Sequence, residues 1–133
     1  MKGSCLCGAV AYEIDQLDSP IIHCSCHTCR KAHSAAFNTG AAVKHSHFRW
    51  LQGQGILKAY ESSPGKLRYF CSNCGSQMVA QYIDRDHLIL RVATLDDAPL
   101  ETPAKHIFKS HEVSWLEYGP QIAGYPEWHP DRK

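Results

Sequence analysis

Residues 67–83 read Leu67-Arg-Tyr-Phe-Cys-Ser-Asn-Cys-Gly-Ser-Gln-Met-Val-Ala-Gln-Tyr-Ile83, two apolar runs on either side of a cysteine pair. Short apolar runs of this kind are typical of β-strands. The pair Cys71 and Cys74, followed by Gly75, is typical of a tight knuckle whose backbone amides point at sulfur. The segment therefore predicts a strand, a cysteine knuckle and a second strand.

A second cysteine pair, Cys5-Leu-Cys7-Gly8, lies near the N-terminus and also ends in glycine. Structural zinc binds four ligands in a tetrahedron, and thiolate is a preferred soft ligand. We therefore expect one closed site that joins the N-terminal strand to the distant knuckle, formed by Cys5, Cys7, Cys71 and Cys74. The alternative is a set of free or disulfide-linked cysteines.

The remaining three cysteines lie together in Cys24-Ser-Cys26-His-Thr-Cys29. Three thiolates leave one coordination position of zinc open, as in catalytic sites. A short helix is predicted from Thr28 to Ala35 with Thr28 as the candidate N-cap, and its dipole, with Arg30 and Lys31, would favour the Cys29 thiolate. Two alternatives remain: a redox-active trio, or a closed site completed by a histidine, for which the candidates are His23, His27 and His33.

The rest of the chain predicts a single, mainly β domain with many short strands and close turns. Alternation with period two indicates a half-buried strand over Val10–Ile14. Further predictions are a hairpin of Phe48–Leu51 and Ile56–Tyr60 around a Gly-Gln-Gly turn, a turn at Ser62–Gly65 and a strand at His87–Ala93.

Composition excludes several classes of function. The 133 residues include 14 Lys and Arg against 13 Asp and Glu, for a formal charge of +1. A nucleic-acid binder would carry a basic surplus, and a membrane helix needs about 20 apolar residues in a row. We expect a cytoplasmic protein without a signal peptide, and in a reducing compartment seven clustered cysteines favour metal binding over disulfides.

Three motifs of this chain resemble those of the glutathione-dependent formaldehyde-activating enzyme (GFA) family, whose relatives include centromere protein V. They are Gly3–Glu13 around the first cysteine pair, His23–Lys31 around the trio and Ser62–Ser76 around the second pair. Weaker matches follow at Thr94–Asp97, Lys105–Phe108 and Trp115, so that the resemblance spans nearly the whole chain.

The resemblance implies an Mss4-like fold, a small tent of folded-over antiparallel sheets stapled by zinc, with one or two short helices and a single domain over residues 1–133. It implies two Zn²⁺ ions per chain. One would be structural, on the cysteines matching Cys5, Cys7, Cys71 and Cys74, and one catalytic and exchangeable, on those matching Cys24, Cys26 and Cys29.

The resemblance also implies a carbon–sulfur lyase, which forms or cleaves a thiol–aldehyde adduct such as S-hydroxymethylglutathione from glutathione and formaldehyde. We expect His27 or His33 to move the proton, and Arg30 and Lys31 to bind a glutathione carboxylate. The alternative is a non-enzymatic zinc module that binds a thiol or a protein partner. A weaker alternative, a nucleotide-exchange or chaperone role, rests on likeness to Mss4 alone. The sequence leaves the oligomeric state open.

Overall fold

Two β-sheets and one short helix make up the part of the chain that the computed structural model describes, residues 1–117 and 119–131. The helix is α1 (His27–His33). The strands are β1 (Lys2–Ser4), β2 (Ala11–Ile14), β3 (Ile21–Cys24), β4 (Asn38–Lys44), β5 (Phe48–Gln52), β6 (Leu57–Ser63), β7 (Lys66–Cys71), β8 (Gln77–Tyr82), β9 (His87–Arg91) and β10 (Pro103–Ile107). The predicted fold class, mainly β and consistent with an Mss4-like architecture, is confirmed. None of the helical segments described has the length and apolar character needed to cross a membrane.

The two sheets differ in size. The small sheet has the strand order β1-β2-β5, and the large sheet has the order β10-β3-β4-β9-β8-β7-β6. Neighbouring strands are antiparallel throughout, apart from β10, which pairs in parallel with β3. A backbone bridge between Gly3 and Leu95, and a 2.9 Å hydrogen bond from the Asp96 amide to the Lys2 carbonyl, connect the small sheet to the segment after β9.

The hydrophobic core draws residues from both sheets. Strand β2 alternates between half-buried and buried positions, as its sequence pattern predicted, and buries Tyr12 and Ile14. The Tyr12 ring stacks on Phe48 with centroids 5.4 Å apart. Its hydroxyl lies 2.7 Å from Thr94 Oγ1, so this polar atom has a partner inside the core. The buried cluster comprises Cys5, Val10, Tyr12, Ile14, Val43, Cys71, Met78, Val79, Leu88 and Leu90.

The helix differs in detail from its prediction. It begins at His27 rather than Thr28, and its N-cap is Cys26, whose sulfur accepts a hydrogen bond from the Cys29 amide at 3.3 Å. The predicted N-cap at Thr28 is therefore wrong, because the Cys26 sulfur takes the part expected of the threonine hydroxyl. The helix ends at His33 since the next residue, Ser34, has φ 50° and leaves the helical conformation.

The predicted hairpin over residues 48–60 is wrong, because its two strands lie in different sheets. Strand β5 pairs with β2, whereas β6 pairs with β7. Gly53 has φ 77°, and a short 3₁₀ turn over Gln54–Ile56 then carries the chain from one sheet to the other. The strands predicted around the second cysteine pair are confirmed as β7 and β8.

The turn predicted at Ser62–Gly65 is confined to Pro64 and Gly65, with φ 78° at the glycine. The strand predicted over His87–Ala93 ends at Arg91, where a 3₁₀ turn over Val92–Thr94 follows.

Candidate metal centres and adjoining cavities

The first cysteine cluster forms where two glycine-terminated turns meet. Its four sulfur atoms, from Cys5, Cys7, Cys71 and Cys74, all lie within 4.8 Å of one another. Gly8 and Gly75 follow the second cysteine of each pair with φ 78° and 81°, a conformation that glycine adopts without strain. The four side chains thus come together as predicted, and they could hold one metal ion.

Hydrogen-bond donors surround the sulfurs of this cluster. The Val10 amide donates to Cys5 Sγ at 3.3 Å, and Asn73 Nδ2 donates to Cys7 Sγ at 3.2 Å. The Cys5 and Cys7 sulfurs are 3.6 Å apart, far beyond the ~2.05 Å of a disulfide. Four thiolates with amide donors around them match the donor set of a structural zinc site.

The second cluster lies at the start of the helix. Cys24 ends β3, Cys26 is the N-cap, and Cys29 lies in the first helical turn, so that their three sulfurs lie within 4.8 Å of one another. Burial raises the pKa of the Cys24 thiol to about 12. Burial acts in the same direction on Cys26, but the Cys29 amide and neighbouring thiols outweigh it and lower that pKa. The donor set fits a soft metal such as zinc.

Within the described residues, no histidine, aspartate or glutamate joins this trio as a fourth ligand. The His23 ring is engaged elsewhere, with Nδ1 2.8 Å from Thr39 Oγ1. His27 is exposed, and its Nδ1 lies 3.5 Å from Arg30 Nη2. His33 is half-buried at the end of the helix, where burial and the nearby Arg91 lower its pKa to about 3.

Two buried arginines beside the trio were missed by the sequence reasoning. Arg68 of β7 is 3% exposed and its Nη2 donates to Cys29 Sγ at 3.9 Å. Arg91, the last residue of β9, is 4% exposed. The sequence did contain a clue, since each arginine interrupts a run of apolar residues, where a charged side chain is unexpected.

A third polar contact lies between the first two cysteines of the trio and strand β10. Ser25 is fully buried, and its Oγ lies 2.6 Å from His106 Nε2. The Ser25 amide also donates to the Ile107 carbonyl at 3.2 Å. Strand β10 thereby fixes the chain that carries Cys24 and Cys26.

Two cavities lie near the trio, and cysteines of the trio line only the second. The first, which we call the helix cavity, has a volume of about 580 Å³ and is lined by His27, Thr28, Lys31, Ala32, Tyr60, Ser62, Arg68, Phe70 and Gln77. The second, which we call the cationic cavity, has a volume of about 220 Å³ and includes Cys24, Cys29, Asn38, Lys66, Arg85 and Arg91 in its lining. Arg68 links the helix cavity to the trio through its contact with Cys29.

The two basic residues predicted to contact substrate lie on the helix and share one cavity. Lys31 lines the helix cavity and also a smaller one, which Arg30 lines with Val113 and Trp115. Arg30 Nε is buried and has no hydrogen-bond partner among the described residues.

Comparisons with known proteins agree with the geometry. The family model described as glutathione-dependent formaldehyde-activating enzyme matches residues 1–111. A Halomonas elongata protein provisionally named as such an enzyme is 28% identical over 151 aligned residues, which cover 97% of this chain and 94% of the relative. A crystal structure of a Rhodobacter sphaeroides protein superimposes with a TM-score of 0.64 at 27% identity, covering 75% of this chain and 92% of the other.

Proposed function

Because this chain belongs to the glutathione-dependent formaldehyde-activating enzyme family, we propose that it is a zinc-dependent carbon–sulfur lyase. It would form or cleave the adduct of a small thiol and a small aldehyde, with glutathione and formaldehyde as the expected pair. The observation that carries the proposal is the trio of Cys24, Cys26 and Cys29. Their sulfurs converge, the described residues supply no fourth protein ligand, and a cavity adjoins them.

We assign different tasks to the two cysteine clusters. The cluster of four would hold a closed structural zinc, since Cys5 and Cys71 are part of the hydrophobic core. The trio would hold the second zinc, which supplies an open coordination position where a substrate thiol binds and ionises. No disulfide joins the described cysteines, and seven cysteines gathered for metal binding suit a reducing compartment such as the cytoplasm.

The chain's own residues keep the trio in place. The Cys29 amide donates to the Cys26 sulfur, and Arg68 donates to the Cys29 sulfur, so that negative charge at this site is partly offset. The cationic cavity, which Cys24 and Cys29 line, would place substrate atoms next to these side chains, and holding thiol and aldehyde together would raise their effective concentration.

The reaction itself needs one proton transfer. The thiol S–H bond breaks, the sulfur electron pair forms a bond to the carbonyl carbon, and the carbonyl oxygen takes up a proton. We propose His27 for that transfer because it lines the helix cavity. His33 is a weaker candidate, since burial and nearby cations lower its pKa to about 3 and a ring that stays neutral near pH 7 is a poor proton donor.

Lys31 and Arg30 are the proposed contacts for a substrate carboxylate on the helix side. Lys31 is exposed at the helix cavity, where an ammonium group attracts an anion without a fixed geometry. We also propose that residues 1–133 act as one domain, because both clusters draw on elements of one continuous fold.

The test is the rate of exchange between the aldehyde and its thiol adduct at equilibrium, measured by exchange NMR with the zinc-loaded protein. Thiols add to aldehydes without a catalyst, so the relevant quantity is the acceleration over buffer alone. The proposal predicts acceleration that saturates with thiol and disappears in Cys26→Ser. No acceleration at any thiol concentration would contradict it and favour a non-enzymatic zinc module.

A further inference from the structure

Arg91 is a buried cation whose hydrogen bonds are incomplete. It is 4% exposed, and its Nε and Nη2 have no hydrogen-bond partner among the described residues. Burying a guanidinium without partners costs several kcal/mol, and proteins rarely retain such a group without a use for it. The side chain therefore has unused donors for an acceptor that the chain does not provide.

Arg91 lines two cavities, and in one of them, the cationic cavity, every charged residue of the lining other than the cysteines is a cation. The cationic cavity contains Lys66, Arg85 and Arg91 in its lining, and none of its described lining residues is an aspartate or glutamate. None of the three cations makes an ion pair with a described carboxylate. An excess of positive charge in a small concave site favours an anionic ligand.

Tyr82 holds the two outer cations of this cavity in place. The Lys66 ammonium lies 5.1 Å and the Arg85 guanidinium 4.0 Å from the centre of its ring. Such cation–π contacts fix the side chains without neutralising their charge. Both positive groups therefore remain available to attract an anion toward Arg91.

The trio sulfurs act on Arg91 through their charge, but they do not accept hydrogen bonds from its Nε and Nη2. Arg68 is the arginine that contacts them, through Nη2 to Cys29 Sγ at 3.9 Å, whereas the unpartnered nitrogens of Arg91 reach no sulfur within hydrogen-bond distance. The Arg68 guanidinium does lie close enough to act on its neighbour, since burial and this second cation lower the pKa of Arg91 to about 10. Arg68 thus donates a hydrogen bond to the sulfurs, whereas Nε and Nη2 of Arg91 remain without an acceptor among the described residues.

We propose that the cationic cavity is a carboxylate-binding subsite, in which Arg91 binds the carboxylate of the thiol held at the trio. This deepens the proposed function and rests on it in one point, the position of the thiol. Cys24 and Cys29 line the same cavity as Arg91, so one short thiol would span from the trio to the guanidinium. The fork of a guanidinium matches a carboxylate with two parallel hydrogen bonds.

The size of the cavity limits the ligand. Its volume of about 220 Å³ is below the ~300 Å³ at which pockets begin to enclose a drug-sized molecule. A mercaptocarboxylate fits inside, while a peptide thiol would place one carboxyl end there and extend outward. This subsite is separate from Arg30 and Lys31, neither of which lines the cationic cavity.

The experiment compares 3-mercaptopropionate with its uncharged amide, 3-mercaptopropionamide. Binding of each to the zinc-loaded protein is measured by calorimetry, which requires no turnover. We expect the wild-type protein to prefer the acid by about 10- to 100-fold, the range for hydrogen bonds to charged groups. In Arg91→Lys, which keeps the charge but loses the fork, the preference should fall below ~3-fold while the amide binds as before.

Arg49→Lys is the matched control, because Arg49 lies on the small sheet and pairs with Glu13 and Asp15. It should keep the wild-type preference. Zinc content is measured in parallel by native mass spectrometry. Equal affinity of the wild-type protein for acid and amide would overturn the proposal. So would loss of the second zinc in Arg91→Lys, since Arg91 would then serve the metal cluster.

A second variant, at a less buried position, keeps the test possible if Arg91→Lys does not fold. Lys66 is half-buried in the cavity lining, and Lys66→Gln should lower the acid preference by about 2- to 5-fold. An unchanged preference would contradict the subsite. The two proposals can fail separately. If the protein prefers the acid but does not accelerate exchange, the lyase proposal is wrong and the subsite stands. If it accelerates exchange but shows no preference for the acid, the subsite is wrong and the lyase proposal stands. Binding of neither thiol would overturn both.

Discussion

Cys26 serves two structural purposes at one position. Its sulfur is the N-cap acceptor of the helix and also one of the three sulfurs of the trio. Serine is a good N-cap residue but a poor zinc ligand beside thiolates, so a Cys26→Ser substitution separates these purposes.

We expect Cys26→Ser to fold and to lose the chemistry. The serine hydroxyl can accept the Cys29 amide, so the thermal unfolding midpoint should stay within a few degrees of wild type while zinc falls from two ions per chain to one. Acceleration of thiol–aldehyde exchange should fall to the level of buffer. Native mass spectrometry, circular dichroism and exchange NMR check the three expectations, and unchanged turnover would contradict the catalytic assignment.

Asp18 gives the stability a defined dependence on pH. Burial raises its pKa, but the Lys44 amide at 2.7 Å and His47 Nδ1 at 2.9 Å donate to the carboxylate and bring the pKa down to about 2, from an ordinary 3.8. A carboxyl group with a lowered folded-state pKa stabilises the fold fully above about pH 4, and the contribution is lost as the pH falls toward 2.

Asp18→Asn should therefore lower the free energy of unfolding by about 1.5–3 kcal/mol at pH 7, the range for hydrogen bonds to a charged group. The difference between variant and wild type should begin to shrink below about pH 4. Urea unfolding of both proteins in excess zinc measures the difference at pH 7 and, where both still fold, below pH 4. Equal stability of variant and wild type at pH 7, or a difference that stays constant well below pH 4, would count against this assignment.

Local spacing explains why the cysteines could be predicted and the arginines could not. Each pair or trio lies within a few residues, so the chain itself brings its sulfurs together. Arg68 and Arg91 contribute through the pairing of β7 with β8 and β8 with β9, which brings together side chains from distant parts of the sequence. A charged residue in an apolar strand shows that something is unusual there, but not what it faces.

At the scale of elements, the link from β5 to β6 carries the chain from the small sheet to the large sheet. Gly53 has φ 77°, and a Cβ at this position would overlap the Ala9 carbonyl oxygen. Gly55, two residues later, has open space around it. The pair offers a matched comparison between a required and a replaceable glycine.

Gly53→Ala should destabilise the fold by about 1–3 kcal/mol from backbone conformation alone, with a further cost from the overlap with Ala9. Gly55→Ala should change stability by no more than about 0.5 kcal/mol, as is usual for exposed positions. Chemical denaturation of the zinc-loaded proteins measures both. Equal effects of the two substitutions would show that the link does not constrain the chain as described.

Pairing between strands was the least predictable property of these elements. The strands β5 and β6 were located from their apolar residues, yet the short loop between them suggested a hairpin, whereas β5 pairs with β2 and β6 with β7. Strand β10 is mostly exposed and pairs in parallel with β3, and its polar sequence gave no indication of that pairing. Pairing depends on distant contacts, which a local pattern does not contain.

At the scale of the whole molecule, the cluster of four cysteines connects the two sheets. Cys5 and Cys7 follow β1 of the small sheet, while Cys71 ends β7 of the large sheet. Cys5 and Cys71 also pack in the hydrophobic core. A metal at this cluster would therefore stabilise the tertiary structure, in the way that structural zinc supplies folding energy.

Removal of the structural metal should unfold the domain. Cys74→Ser, or excess chelator on the wild-type protein, should abolish the cooperative thermal transition, because the free energy of metal binding contributes directly to folding. Differential scanning calorimetry with and without chelator checks the expectation, and restoring zinc should restore the transition. An unchanged melting temperature after complete removal of both metals would contradict the structural assignment.

The central claim is that two metal sites of different character share this fold, one closed and one open to a thiol. Native mass spectrometry of the purified protein, with and without glutathione, tests it most directly. The account predicts two zinc ions per chain, with a glutathione adduct or the loss of one zinc when the thiol is added. A single zinc ion, or two that do not respond to glutathione, would contradict it.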